Sequence, residues 1–141
     1  MVLVVDDDVG ICEAICDLLA AVGIDAKSFG SVAEYSAFAR PDMPSCLILD
    51  VELPDVNGLE FQKQAAGGEH PPIVFITGHG DVPRTVRAMK GGAVDFLTKP
   101  FADRALLDAI ETAVATDRKR RAERAELAIG RNCGLDCVEQ G

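Results

Sequence analysis

The residues with most to offer chemically are polar groups that stand where apolar runs stop. "VLVV" (2–5) runs straight into Asp6, Asp7 and Asp8. "CLIL" (46–49) ends on Asp50, and a turn sequence with Pro54, Asp55, Asn57 and Gly58 follows at once. "PIVFIT" (72–77) ends on Thr77, and "AVDFLT" (93–98) leads to Lys99 and Pro100. Carboxylates a few ångströms apart repel, so if Asp6, Asp7 and Asp50 meet, one must keep its proton unless a cation intervenes. Mg²⁺, with Mn²⁺ as a substitute, suits such a site because it takes hard oxygen ligands and keeps several waters. The metal and Lys99 would bring the crevice close to neutrality, ready for a phosphoryl group of roughly −2 charge. Asp50, at the centre, would be the nucleophile, because aspartyl phosphates are an established form of covalent catalysis. The metal and Lys99 would neutralise the transferring oxygens, and Thr77 would offer one of them its hydroxyl.

Each residue alone has a plainer explanation. An aspartate after a strand is commonly a turn or cap residue, and Asp6 to Asp8 could be an acidic loop that caps the next helix. A lone lysine belongs on the surface, and a threonine before glycine can simply end a strand. Those explanations leave the order and the shared position at strand ends unaccounted for.

Convergence requires elements that bring the strand ends to one edge. Strands are expected over 2–5, 24–29, 46–50, 72–77 and 93–98. Between them, Ile11, Ile15, Leu18, Leu19 and Val22 recur at helical spacing before Gly23. Ser31 caps a helix over 32–39, and a short helix over 58–66 closes at Gly67 and Gly68. Residues 82–90 are helical, with Pro83 in the first turn, and Gly91 and Gly92 stop them. Asp103 caps a last helix with Leu106, Leu107, Ile110 and Val114 inside. Strict alternation of this kind makes an open α/β sheet, and five units are too few for a closed eight-fold barrel. The first, third and fourth strands are near-continuous apolar runs, as expected for strands covered on both faces. In a parallel sheet the C-terminal strand ends share one edge, and ligands bind there.

The chain has 141 residues, 48% of them apolar, which favours one domain with a substantial core. A formal charge of −9 argues against direct binding to nucleic acid or an anionic membrane. The apolar start, Met1 to Val5, is too short for a signal peptide or a membrane span, so a cytoplasmic location is expected. Cys12, Cys16 and Cys46 read as small core residues. Cys133 and Cys137, in a glycine-rich tail without a histidine, make a poor zinc site. The domain is expected over 1–115, with 116–128 as an extension of the last helix or a linker and 129–141 as a disordered or non-native tail. "TDRKRRAERAEL" (116–127) is either a solvated helix face or a connection to an output domain. A helix-turn-helix reader would need at least two further helices, which the remaining residues do not supply.

"VVDDD", "LILDVELPDVNGLE", "FITGHGD" and "DFLTKPF" resemble, in order and spacing, the receiver domain of two-component response regulators. These are the phospho-acceptor partners of histidine kinases. The resemblance spans about residues 1–127. "FITGHGDVPRTVRAMKGGAVDFLTKPF" looks especially like the FixJ-type subgroup, which carries a DNA-binding domain after the receiver.

The resemblance implies a flavodoxin-like (βα)₅ fold: an open parallel five-stranded sheet in the order 2-1-3-4-5, with helices on both faces. It implies that Asp50 is phosphorylated by a histidine kinase. Asp7, Asp50 and the Glu52 backbone carbonyl would bind Mg²⁺ directly, with Asp6 acting through metal-bound water. Thr77 would bond the phosphoryl group, and Lys99 would pair first with Asp50 and then with the phosphate. The Lys99–Pro100 bond would be cis. Phe96 matches the aromatic switch position, although it also reads as an ordinary strand aromatic. The face made by the fourth helix, fifth strand and fifth helix would respond and could form a homodimer. Such a domain phosphorylates and dephosphorylates itself as a switch and is not a turnover enzyme.

Two positions stay open. Glu52 is expected to point to solvent; pointing inward, it would repel phosphate or orient water. His79 is expected to be a loop residue that could also reach water near the phosphate. Two other functions compete. One is a stand-alone or pseudo-receiver binding module, which the complete set of Asp6, Asp7, Asp50, Thr77 and Lys99 disfavours. The other is a haloacid-dehalogenase-type phosphatase, which calls for an aspartate where this chain has Glu52. A dinucleotide-binding domain is weaker still, because no G-x-G-x-x-G follows the first strand.

Overall fold

The computed structural model describes residues 1–65, 70–78 and 82–140, with side chains as far as 127. His79 and the side chains of Cys133 and Cys137 therefore lie outside the described residues. The elements alternate in chain order: β1 (Val2–Val5), α1 (Val9–Ala21), β2 (Ala26–Phe29), α2 (Val32–Ala37), β3 (Cys46–Asp50), α3 (Gly58–Ala65), β4 (Ile73–Thr77), α4 (Val82–Lys90), β5 (Asp95–Thr98) and α5 (Asp103–Gln140). All strand pairs are parallel and the order is β2-β1-β3-β4-β5.

The period-2 alternation of the three central strands divides the core in two. Val2, Val4, Cys46, Ile48, Val74 and Ile76 face one side, where Ile15 and Leu19 of α1 and Leu106 and Ile110 of α5 cover them. Leu3, Val5, Leu47, Leu49, Ile73 and Phe75 face the other, beneath Tyr35 of α2, Leu59 of α3 and Ala88 of α4. This double coverage explains why those strands are apolar up to the polar residues at their C-terminal ends. Burial pushes the Cys12 thiol up to about 11 and the Cys46 thiol to about 12, so both are inert packing groups at neutral pH.

Element ends differ from the sequence expectation by one or two residues where helix closure claims the backbone. Ile24 donates its N–H to the Leu19 carbonyl to close α1, so β2 starts at Ala26 rather than 24. Ala93 likewise donates to the Ala88 carbonyl at the end of α4, so β5 starts at Asp95 rather than 93. α2 stops at Ala37 rather than 39, because Phe38 turns to an extended conformation.

α5 runs past the sheet, and the "TDRKRRAERAEL" segment is docked rather than solvated all round. Asp117 is buried at the edge opposite the acidic strand ends. Its Oδ2 accepts the backbone N–H of Ser45 at 2.8 Å and Arg121 Nε at 3.0 Å. Arg121 also pairs with Asp42 in the loop before β3. A buried acceptor that satisfies a strand-end N–H is costly to remove. Asp117→Ala is expected to lower stability by about 1–3 kcal/mol, read as a reduced urea midpoint with an unchanged slope.

Candidate functional site

Strand register assembles the site. Val5 lies opposite Leu49, so Asp6 and Asp50 leave the sheet side by side. Asp50 lies opposite Ile76, and Thr77 opposite Thr98, so Thr77 and Lys99 follow at the same edge. Asp6, Asp50 and Thr77 are 1%, 4% and 0% exposed. Asp7 is exposed at the mouth. One oxygen from each of Asp6, Asp7 and Asp50 lies within 4.8 Å of the others.

Lys99 is the cation among them. Its Nζ donates to Asp6 Oδ2 at 2.8 Å and stands 3.7 Å from Asp50 Oδ2. Its backbone N–H donates to the Thr77 carbonyl at 2.7 Å, and the Lys99–Pro100 peptide is cis. Burial opposes the Lys99 charge. The hydrogen bond to Asp6 and the charges of Asp50 and Asp6 outweigh that, and its pKa is held above the ordinary lysine value. Asp50 behaves in the opposite sense. Burial, reinforced by the charge of Asp6, pushes its carboxyl up to about 6, although the Glu52 N–H and Lys99 favour the ionised form.

The loops are built to hold these groups. The Asp8 N–H donates to Asp6 Oδ1 at 2.9 Å, and the Asp8 side chain caps α1 through the Ile11 N–H. The Glu52 N–H donates to Asp50 Oδ1 at 3.2 Å. Glu52 and Asn57 form an antiparallel bridge that closes the turn after Asp50. Gly58 is required there, because a Cβ would stand 2.7 Å from the Asp50 carbonyl oxygen. Phe96 packs on Phe75, with ring centroids 6.1 Å apart, and is part-buried under the α4 side of the sheet.

The Glu52 side chain departs from the sequence expectation. It does not simply extend into solvent. Its Oε1 accepts the Thr77 hydroxyl at 2.9 Å and lies 3.4 Å from Arg84 Nη1 on α4. The reason is register: Glu52 follows Asp50 closely enough to reach across the mouth to the end of β4. The sequence carries no clear mark of Arg84. Its only signal is a basic residue in the first turn of the helix after Thr77.

All donors in the acidic cluster are hard oxygens around a partly open mouth, which fits a Mg²⁺-sized ion with water ligands. The raised carboxyl of Asp50 has a thermodynamic consequence without metal. Between about pH 4 and 6 the folded chain holds a proton that the unfolded chain has released, so stability falls as pH rises through that window. Asp50→Asn removes this loss. With chelator present, the variant is expected to be about 1–3 kcal/mol more stable than wild type at neutral pH, with the urea curves converging near pH 4.

Comparison with known proteins agrees with this geometry. Residues 2–111 match the response regulator receiver domain family. Nodulation protein W of Bradyrhizobium diazoefficiens is 52% identical over 122 residues, covering 86% of this chain and 54% of that protein. Transcriptional regulatory protein FixJ of Azorhizobium caulinodans is 37% identical, covering 98% of this chain and 71% of that protein. Among solved structures, response regulator StyR matches with a TM-score of 0.81 and 43% identity over 90% of this chain and 65% of that one. FixJ-N matches with a TM-score of 0.71 and 37% identity over 81% of this chain and 92% of that one. The chain spans about half the length of nodulation protein W and of several other regulators it resembles. No helix among the described residues is long and apolar enough to cross a membrane. With its sheet order, its acidic edge and its lysine in place, the chain belongs to the response regulator receiver domain family.

Proposed function

We propose that Asp50 takes a phosphoryl group from a phosphohistidine of a sensor kinase and that the resulting charge switches the α4–β5–α5 face. The observation that carries this reading is the environment of one carboxylate. Asp50 is nearly buried and stands 3.7 Å from an ammonium, within 4.8 Å of oxygens from two other aspartates.

One Asp50 oxygen attacks phosphorus as the phosphorus–nitrogen bond breaks. The imidazole leaves with the electron pair and takes a proton from solvent. Mg²⁺, held by Asp7, Asp50 and the Glu52 carbonyl with Asp6 acting through water, would supply positive charge at the transferring oxygens. Lys99 is already paired with Asp6 and needs only a small displacement to meet a phosphoryl oxygen on Asp50. Thr77 offers a hydroxyl from the end of the next strand, the one that leads into α4. Transfer of this kind depends on positioning and charge neutralisation more than on acid–base chemistry.

The output side has its own support. Val82, Val86 and Met89 lie on α4 at helical spacing and are 76%, 43% and 44% exposed. An apolar stripe of that kind suits a second copy of the same face. In a longer protein with a transcriptional output domain, as the name of FixJ suggests for that relative, pairing of receivers would bring two output domains together. The acidic receiver itself is not expected to touch DNA or membrane. A cytoplasmic location fits phosphoryl transfer from a histidine kinase.

Intact-mass analysis after incubation with acetyl phosphate tests the acceptor. A single phosphoryl adduct is expected with Mg²⁺, and none with chelator or in Asp50→Asn. A folded, Mg²⁺-binding chain that gains no adduct would instead be a pseudo-receiver. For the surface, Val86→Glu is expected to keep the adduct yet remain monomeric by sedimentation, while the phosphorylated wild type dimerises.

A further inference from the structure

The Thr77 hydroxyl has one proton to donate, and in this structure it goes to Glu52. The same Glu52 oxygen is 3.4 Å from Arg84 on α4, and the Glu52 backbone N–H is bound to Asp50 Oδ1. One side chain therefore touches the phosphoryl-binding hydroxyl and the helix expected to move, while its own backbone touches the acceptor.

α4 is lightly held. Ala88 is its one buried residue. Its other anchors include polar contacts at the Arg84 end, the Arg87 guanidinium on Glu60 at 2.7 Å, and the Gln62 amide on the Ala88 carbonyl at 2.9 Å. A helix with so little buried apolar surface can occupy a second position at low cost.

We infer that the Glu52 carboxylate is an internal stand-in for the phosphoryl group, a latch that holds Thr77 and, through Arg84, α4 in the resting position. This inference rests on the proposed phosphorylation of Asp50. A phosphoryl group of roughly −2 charge on Asp50 would repel the Glu52 carboxylate beside it. It would also compete for the Thr77 proton, which cannot serve two acceptors. Losing Glu52, Thr77 turns toward the phosphoryl oxygens and Arg84 gives up its contact with Glu52. The acid at this position then sets how far the resting equilibrium lies from the active one.

The test reads the α4 amide resonances (residues 82–90) of the full chain by two-dimensional NMR, without relying on reaction rates. The wild type in chelator and the wild type with Mg²⁺ and beryllium fluoride define the two ends. In chelator, Glu52→Ala is expected to move these resonances toward the beryllium fluoride end. A hydrogen bond to a charged acceptor corresponds to a population ratio changed about tenfold. Glu52→Gln, which keeps an acceptor oxygen without the charge, is expected to fall between. In a Thr77→Val background, Glu52→Ala is expected to shift these resonances much less, because only the Arg84 contact is left to lose. An equal shift in both backgrounds would overturn the latch, since Glu52 would then act through charge or Arg84 alone. No shift in either, while acetyl phosphate still modifies Asp50, would overturn it and leave the phosphorylation reading standing. Failure of wild-type Asp50 to take a phosphoryl group would overturn both.

Discussion

The placement of carboxylates at the exit of a buried parallel sheet is the constraint around which the molecule is arranged. Asp6 and Asp50 sit side by side because β1 and β3 pair in register, and both are almost wholly buried. Two such groups cannot both be ionised comfortably without a nearby cation. Lys99 supplies one, hydrogen-bonded to Asp6 and close to Asp50. Even so, Asp50 remains the strained partner, with its carboxyl pushed up to about 6 by burial and by Asp6. The resting site is thus short of positive charge, which is a suitable condition for drawing in a divalent cation.

Around that edge the loops serve positioning. Asp8 ties the first loop to both Asp6 and the start of α1. Gly58 lets α3 begin within contact distance of the Asp50 carbonyl. The Asp55 carboxylate reaches the Ala33 N–H at 3.1 Å and so links the loop after Asp50 to α2. The acceptor is held by buried strands and by hydrogen-bonded loops, whereas α4, one strand away, buries Ala88 and has polar contacts to Glu52, Glu60 and Gln62. A stiff chemical centre beside a lightly anchored helix is the arrangement a charge-driven switch needs.

The opposite edge is organised differently. Asp117 satisfies the strand-end N–H of Ser45, and Arg121 ties the same region to Asp42. These contacts fix the direction in which α5 leaves the sheet. β3 consequently has a helix-anchoring group at its start and the reactive aspartate at its end.

The sequence by itself determined the α/β class, the alternation of elements and the polar set Asp6, Asp7, Asp50, Thr77 and Lys99. These are local signals: apolar runs that stop on a charge, glycines that stop helices, and motifs in a fixed order. Element ends were less legible, because hydrogen bonds such as Ile24 to Leu19 and Ala93 to Ala88 take backbone groups that a strand pattern alone would claim. Only the tertiary structure decided what Glu52, Arg84 and Asp117 do. Each is a charged residue whose type and neighbours suggest a solvated surface. Their partners lie 25, 32 and 72 positions away in sequence, and no periodicity encodes such pairings. Register between β3 and β4 carries Glu52 across to Thr77, and the packing of α5 on the sheet carries Asp117 to Ser45. Long-range pairing of this kind exists only once the sheet has formed.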